Sequence, residues 1–403
     1  MGFFDRIAAD WLVLLIPVFS AFVGWFTNVV AIKMMFYPTE PLGKPPWFGW
    51  QGIVPANAHR LAKMSTQLIL EKLLSLEELF ASFKGDAFAE EIEPVVEDIT
   101  QQIIDEVATK RAPQMWENAG EFMQNQIREQ IKEKVRETAI KIVDDFSANI
   151  TDILDLEKVV VEAVMEDKTL MSMMFLQVGE AEFKFIERSG IWFGFIFGLI
   201  QMTIWVYTPA DWVLPAAGFF VGYATNWLAL KLIFNPREPK KVGPFVIHGL
   251  FHKRQLEVTA EFSKLTAGKV LNADNITKTV LGGETAEKIF AIVEKHVRAL
   301  IEEYMQHPMA AMLVPPDQRE ELENELVERI RAELPKEGGL LHTFAGKSVD
   351  IENSIGDRMK ELPPDEFEGV LRPAFQQDEW KLILAGAVLG CVAGVAQLVY
   401  LFS

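Results

Sequence analysis

Four runs of this chain carry no charged side chain: Trp11 to Ile32, Ser189 to Ala210, Trp212 to Leu230 and Leu382 to Ser403. Crossing the hydrocarbon of a bilayer takes ~20 apolar residues in a helix, so each run is long enough to span. The competing reading is a set of buried helices in a large soluble domain, but four such runs set in charge-rich sequence are rare in soluble folds. Nor does the first run look like a cleaved leader. MGFFDRIAAD carries two Asp and one Arg where a basic region would stand, and the apolar part exceeds the ~7–15 residues of a secretion signal.

A second pattern organises the first. Residues 17–41 return at 215–239, a constant offset of 198, with 12 of 25 positions identical. The retained residues include Gly24 and Gly222, Thr27 and Thr225, Asn28 and Asn226, Lys33 and Lys231, and Glu40 and Glu238. Hydropathy alone would not preserve Gly, Thr, Asn and Lys at fixed spacing, and self-similarity of this kind has to be read before any fold is assigned. The correspondence continues downstream. Gly194-xxx-Gly198-xx-Gln201 matches Gly390-xxx-Gly394-xx-Gln397 at an offset of 196, Leu154–Glu157 matches Val349–Glu352 at 195, and Glu182 matches Glu379 at 197.

The expected architecture is therefore all-α: an integral membrane protein with four transmembrane helices from a tandem parallel repeat, plus long amphipathic helices forming a soluble helical domain. Repeat unit 1 covers 8–209, with spans at 11–36 and 189–208 around soluble helices at 56–187. Repeat unit 2 covers 210–403, with spans at 212–235 and 380–402 around soluble helices at 252–378. The join, Tyr207 to Asp211, leaves no room for a domain. Two spans per unit make both units enter the bilayer in the same direction, related by a pseudo-two-fold axis along the membrane normal. Both polar segments then share one side and both termini the other. Basic residues near the membrane crowd the polar-segment side (Lys33, Lys44, Lys184, Arg188, Lys231, Arg237, Lys240, Lys241, Lys253, Arg254, Arg372, Lys381), whereas the other side has Arg6. Positive-inside logic puts the polar segments in the cytoplasm and both termini outside.

Within the polar segments, apolar residues from Phe122 to Leu154 recur at steps of three and four, as one face of a long amphipathic helix beginning near Pro113. An earlier helix is expected over 91–110. Ile289, Val293, Val297 and Ile301 share a face in the second unit, and Pro315-Pro316 precedes an acidic helix ending near Leu334. Residues 47–54 and 244–251, punctuated by Gly, read as short hairpins. The net charge of −18 disfavours nucleic acid and anionic headgroups as general partners. Expected partners are membrane lipids and proteins docking on the helical domain, and a homo-oligomer is compatible with the pattern. The single cysteine, Cys391, excludes an intrachain disulfide and a CxxC pair.

Thr27, Asn28, Thr225 and Asn226 are the sharpest candidate residues. Polar side chains in hydrocarbon usually hydrogen-bond across helices, so these either glue the two units together or line a path between them. Lys33 and Lys231 close their helices, either snorkelling to the interface or pairing with an acid such as Glu40 or Glu238. Pro17 and Pro215 remove a backbone donor within the span, of which a kink is the usual consequence, one near a helix end costing little. Gly194, Gly198, Gly390 and Gly394, with Gly24 and Gly222, allow close helix approach, and Gln201 and Gln397 can bond across it. No catalytic residue, metal site or cofactor is implied: HExxH, Walker, GxSxG and GxGxxG patterns are absent from the sequence. His248 and His252 are spaced i,i+4, but the glycine between them argues against a metal-binding helix.

At the repeated G-[WY]-x-T-N-x-x-A-[IL]-K-x-x-F-x-P-x-E-P, with Gly52-Ile53-Val54-Pro55, the LDLE at Leu154 and the Gly194 to Gln201 run, the chain resembles the bacterial membrane family known as domain of unknown function 445, the YheB/YjiN-like proteins. The resemblance covers essentially the whole chain. It implies a protein of bacterial inner membranes with a helical soluble part, and no catalytic residues to carry over. Where the first unit has Val54-Pro55 the second has Phe251-His252, so no role can need that proline in both.

Overall fold

The structure, a computed structural model, describes residues 11–44, 48–76, 113–282, 284–306, 319–334, 336, 351–372, 376 and 378–402, with isolated helical positions between 93 and 109. In chain order the described elements are α1 Leu15–Phe36, β1 Leu42–Lys44, β2 Phe48–Trp50, α2 Ile53–Ala56, α3 Ala58–Leu68, α4 Pro113–Ala148, α5 Ile150–Ile153, α6 Leu156–Glu166, α7 Thr169–Val178 and α8 Glu180–Tyr207. There follow α9 Val213–Phe234, β3 Lys240–Val242, β4 Phe245–Ile247, α10 Leu250–Lys253, α11 Gln255–Leu265, α12 Ala273–Val280, α13 Glu284–Met305, α14 Arg319–Glu333, α15 Ile351–Glu361, α16 Pro364–Leu371 and α17 Glu379–Leu401. A 3₁₀ turn, Trp11–Leu14, leads into α1. The protein is all-α apart from two short hairpins.

Among the described residues four helices are long and apolar enough to cross a membrane: Trp11–Phe36, Glu180–Tyr207, Val213–Phe234 and Glu379–Leu401. The second starts nine residues before the expected span because charged Glu180 to Arg188 continue the same helix beyond the apolar run. Pro17 and Pro215 fall in the first turn of α1 and α9, where a missing backbone donor costs nothing.

Packing divides the chain into two compact units that differ from the two sequence repeats. One comprises Met1–Lys72, Val164–Thr266 and Ile355–Ser403; the other comprises Leu73–Ala163 and Ala267–Ser354. In the first, α1 lies along α8 and α9 along α17, while α8 also meets α9 and α1 meets α17. Side chains in this bundle are sorted inside out. Ser20, Gly24, Thr27 and Asn28 of α1 are buried, whereas Phe22, Trp25 and Phe26 face outward. The same sorting buries Gly218, Gly222, Thr225 and Asn226 in α9 and exposes Phe219, Phe220, Tyr223 and Trp227. Small and polar residues inside with large apolar ones outside suit a bundle solvated by lipid.

Beyond each of α1 and α9 the backbone makes corresponding moves. Tyr37–Pro38 and Asn235–Pro236 are cis peptides, a hairpin follows, and the chain returns to its helix end. Gly52 N–H donates to Pro38 O and Gly249 N–H to Pro236 O, both at 2.9 Å. Neither glycine has room for a side chain: a Cβ on Gly52 would lie 2.7 Å from Phe36 C, and one on Gly249 2.8 Å from Ile233 O. The hairpins begin earlier than expected, at Leu42 and Lys240, since it is the β1 and β3 residues that pair back onto β2 and β4. In the second, Gly243 with φ 61° precedes Pro244, which suits a two-residue turn with glycine at its first central position.

The described secondary-structure elements of the second unit are all helices. Its core holds Ile289, Val293, Val297 and Ile301 of α13, which packs on α4, α5 and α14. The long stripe expected from Phe122 onward is only partly realised. Helical geometry breaks at Gly120, where φ is 72°, and again at Asn149. Phe122 is 83% exposed, while burial is concentrated from Thr138 through Val143, Phe146, Ile150 and Ile153. Periodicity identified the face but not where a partner begins to cover it. The helix expected over 91–110 and the break at Pro315-Pro316 lie almost entirely outside the described residues.

Candidate functional site

The paired Thr-Asn positions are fully enclosed. Thr27 Oγ1 donates to Gly24 O at 3.2 Å and Thr225 Oγ1 to Gly222 O at 3.3 Å, each one turn back on its own helix. Asn28 Nδ2 donates to Ile186 O of α8 at 2.6 Å, and Asn226 Nδ2 to Leu382 O of α17 at 2.9 Å. The two asparagines thus make equivalent bonds, but each within its own helix pair. No hydrogen bond joins Asn28 to Asn226 among the described residues, although α1 and α9 also touch.

Glycine contacts run along the same two helix pairs. A Cβ on Gly24 would strike the carbonyl of Gly190, one on Gly194 would lie 3.0 Å from Ala21 Cα, and one on Gly198 2.6 Å from Pro17 Cα. In α9 and α17, Gly222 faces the carbonyl of Gly386, Gly390 faces that of Gly218, and Gly394 that of Leu214. Backbone therefore touches backbone, as small-xxx-small spacing permits. Gly190 and Gly386 extend each motif by one turn. Their own offset of 196 was the available signal, and they were missed among the expected packing residues.

The contact that links α8 to α17 is made by glutamine. Ser20 Oγ donates to Gln201 Oε1 at 2.9 Å, and Gln201 Nε2 donates to Gln397 Oε1 at 3.2 Å. Gln397 Nε2 has no protein partner, nor does Asn28 Oδ1. The position equivalent to Ser20 is Gly218, so the second copy has no hydroxyl to offer.

At the polar-segment end of the spans, Lys33 and Lys231 are exposed, and Lys231 Nζ sits 4.7 Å from the Trp227 ring centroid. Among the described residues no ion pair joins either lysine to Glu40 or Glu238; Glu40 meets Lys168 at 3.8 Å instead. The buried acids are elsewhere. Glu182 accepts from Arg254 Nη1 with both oxygens, at 3.0 and 2.8 Å. Glu379 accepts from Arg372 Nε at 3.2 Å. Glu368 is held by Arg237 Nε at 2.7 Å and by Arg372 Nη1, with His252 Nε2 at 3.4 Å. Burial would raise the Glu368 pKa, but hydrogen bonds from Arg237 and Arg372 carry it below the ordinary value. Burial lowers that of His252 despite the neighbouring Glu368 charge. The rings of His248 and His252 stack at 6.3 Å. Among the described residues no three His, Cys, Asp or Glu side chains gather as metal ligands.

Between these ion pairs lies a cavity of about 70 Å³. Its wall takes Met35 from α1, Phe175 and Val178 from α7, Phe183 and Ile186 from α8, Leu230 and Ile233 from α9, and Leu382 from α17, together with Phe251 and Leu371. Glu182 and Glu379 are the two acids that line it.

Inside-out side-chain sorting on four spanning helices defines an integral membrane protein of the all-α class. Curated relatives agree as far as their names go. The chain is 40% identical over 76 residues to a UPF0754 membrane protein of Synechococcus sp. (strain JA-2-3B'a(2-13)), covering 18% of each chain. It is 26% identical over 172 residues to one from Nostoc sp., covering 42% of this chain and 40% of that one. With a third, from Bacillus cereus, identity is 23% over 175 residues, covering 41% and 45%. The chain spans about a fifth of the first relative's length and less than half of the others'. No family model matches, and no solved structure matches.

Proposed function

We propose that this is a non-enzymatic scaffold or lipid-associated protein of a bacterial inner membrane. Its helical domain stands in the cytoplasm and both termini lie outside, a reading supported by the basic residues that crowd the membrane-proximal ends of the polar segments. One observation carries the reading: the polar side chains of the spans are spent on holding helices together. Asn28 and Asn226 each donate to a backbone carbonyl of the neighbouring helix, and glycines seal both pairs backbone to backbone. Thr27, Asn28, Thr225 and Asn226 then act as packing groups rather than as the lining of a path. In this reading the partners are bilayer lipids and proteins that dock on the helical domain, with no cofactor and no nucleic acid.

The second reading, a transporter or channel component, draws on Asn28 Oδ1 and Gln397 Nε2, buried polar atoms without a protein partner. Flux measurements on the full chain in liposomes separate the two. The scaffold reading expects ion and solute leakage no greater than in empty vesicles. Flux that disappears in the Asn28→Ala, Asn226→Ala double variant would overturn it. Orientation is tested by single cysteines introduced in a Cys391→Ser background. An impermeant maleimide should reach Tyr207→Cys and Ser403→Cys from outside the cell, and Lys295→Cys only after lysis.

A further inference from the structure

We propose that the cavity at the polar-segment end of the four spans takes the terminal carbons of an acyl chain of a bilayer lipid. This deepens the lipid-associated form of the reading above and rests on it. The first argument is the chemistry of the wall. Apart from Glu182 and Glu379 its side chains are hydrocarbon, aromatic or thioether. Both acids are already engaged, Glu182 through both oxygens by Arg254 and Glu379 by Arg372. A sugar, nucleotide or metal ion entering here would lose hydration and find little to replace it, whereas a methylene chain loses nothing. Apolar cavities walled this way stay dry and accept apolar guests.

The second argument is position. Met35 and Leu230 stand near the last turns of α1 and α9, and Phe183 and Leu382 near the first turns of α8 and α17. The cavity is thus level with the ends of the apolar spans, where lipid is the apolar molecule in greatest supply. Phe183 and Leu230 are half-buried, so the wall reaches the surface there. A third feature is that the wall is held in shape. The Phe183 ring meets Phe36 edge-on at 5.2 Å, and Phe251 packs against Phe234 at 5.5 Å and Phe367 at 4.7 Å. Rings fixed by such pairings do not readily collapse into the space.

Phe175 and Val178 supply the test, because they belong to α7, which at ten residues is too short to span. A photoreactive diazirine at the tip of a phospholipid acyl chain should reach mid-bilayer residues. It should reach α7 only if the chain turns into the cavity. The full chain is reconstituted in phosphatidylethanolamine and phosphatidylglycerol vesicles carrying the tip-labelled phosphatidylglycerol, irradiated, and mapped by peptide mass spectrometry. The expected result is adducts on Phe175 or Val178 as well as on outward residues such as Phe220 and Phe195. Leu230→Trp, which fills the rim, should remove the α7 adducts and spare the outward ones; Met35→Phe serves as an independent filling variant. Wild-type adducts confined to outward residues would overturn the proposal, as would α7 labelling that survives both substitutions in folded protein. Either result would leave the scaffold reading intact, since that stands on the flux measurement.

Discussion

Replacing Gly222 with alanine tests the backbone contacts on which the bundle depends. A Cβ there would collide with the carbonyl oxygen of Gly386 and sit 2.7 Å from its carbonyl carbon and 3.3 Å from Ala387 N. All three neighbours are main chain, so no rotamer change can relieve the clash and the helices must separate. Overpacking of this sort costs ~1–3 kcal/mol. Alanine's better helix propensity returns ~1 kcal/mol of that, leaving a net loss of up to roughly 2 kcal/mol. Gly24→Ala makes the corresponding clash with Gly190, but its next neighbours are 3.2 and 3.4 Å away, so its loss should be the smaller. Gly369, in α16, is the control: nothing lies within 4 Å of its added Cβ, so Gly369→Ala should be neutral or gain ~0.5–1 kcal/mol. The measurement is dodecyl sulfate titration of the full chain in mixed micelles, followed by tryptophan fluorescence. The two loss variants share no contact in their helix pairs, and their effects should add. If Gly222→Ala titrates like Gly369→Ala, the close approach of α9 and α17 is wrong and the argument from glycine spacing fails with it.

Three further outcomes are expected. Asn28→Ala, which removes a 2.6 Å bond to Ile186 O, should cost about 0.6–2 kcal/mol in the same titration; no change would mean the amide is dispensable. Gln201→Leu removes both bonds of the Ser20–Gln201–Gln397 chain whereas Gln397→Leu removes one, so the former should be more destabilising, and the reverse order would refute Gln201 as the middle member of the chain. His252, whose pKa burial depresses, favours its neutral form in the fold. Its contribution to stability is therefore complete above the ordinary histidine value of ~6.5 and is lost as pH falls through the lower folded value. Melting temperature should decline over that window in wild type and not in His252→Phe; parallel curves would exclude the assignment.

The sequence revealed what depends on chain-local chemistry. Uncharged runs located all four spans, and the helix ends differ from expectation mainly where Glu180 to Arg188 extend α8 beyond the apolar run. Gly194 and Gly390 were legible as packing residues because a missing side chain has one common use at that spacing. The partners of Asn28 and Asn226 were not legible. Their acceptors are the carbonyls of Ile186 and Leu382, and a carbonyl carries no residue identity to match. Gln201 and Gln397 were marked by repetition, yet nothing in spacing says that they, rather than the asparagines, meet. The Glu368 cluster left no trace, because Arg237, His252 and Arg372 converge from separate elements and lack counterparts in the first copy: the corresponding residues are Thr39, Pro55 and Phe175. Asn149 shows the limit from the other direction, since a stripe of apolar residues runs on past the point where the helix carrying it breaks.

The Ser20–Gln201–Gln397 chain has a consequence for alignment along the membrane normal. The glycine seams lie within each helix pair, and lipid rewards no particular offset of one pair against the other, so contacts between the pairs must set it. A slide of one turn, ~5.4 Å, would carry the two amides out of reach and strand both in hydrocarbon. The Gln201–Gln397 link between α8 and α17 therefore works as a detent, helping to set the height at which the second pair rests beside the first.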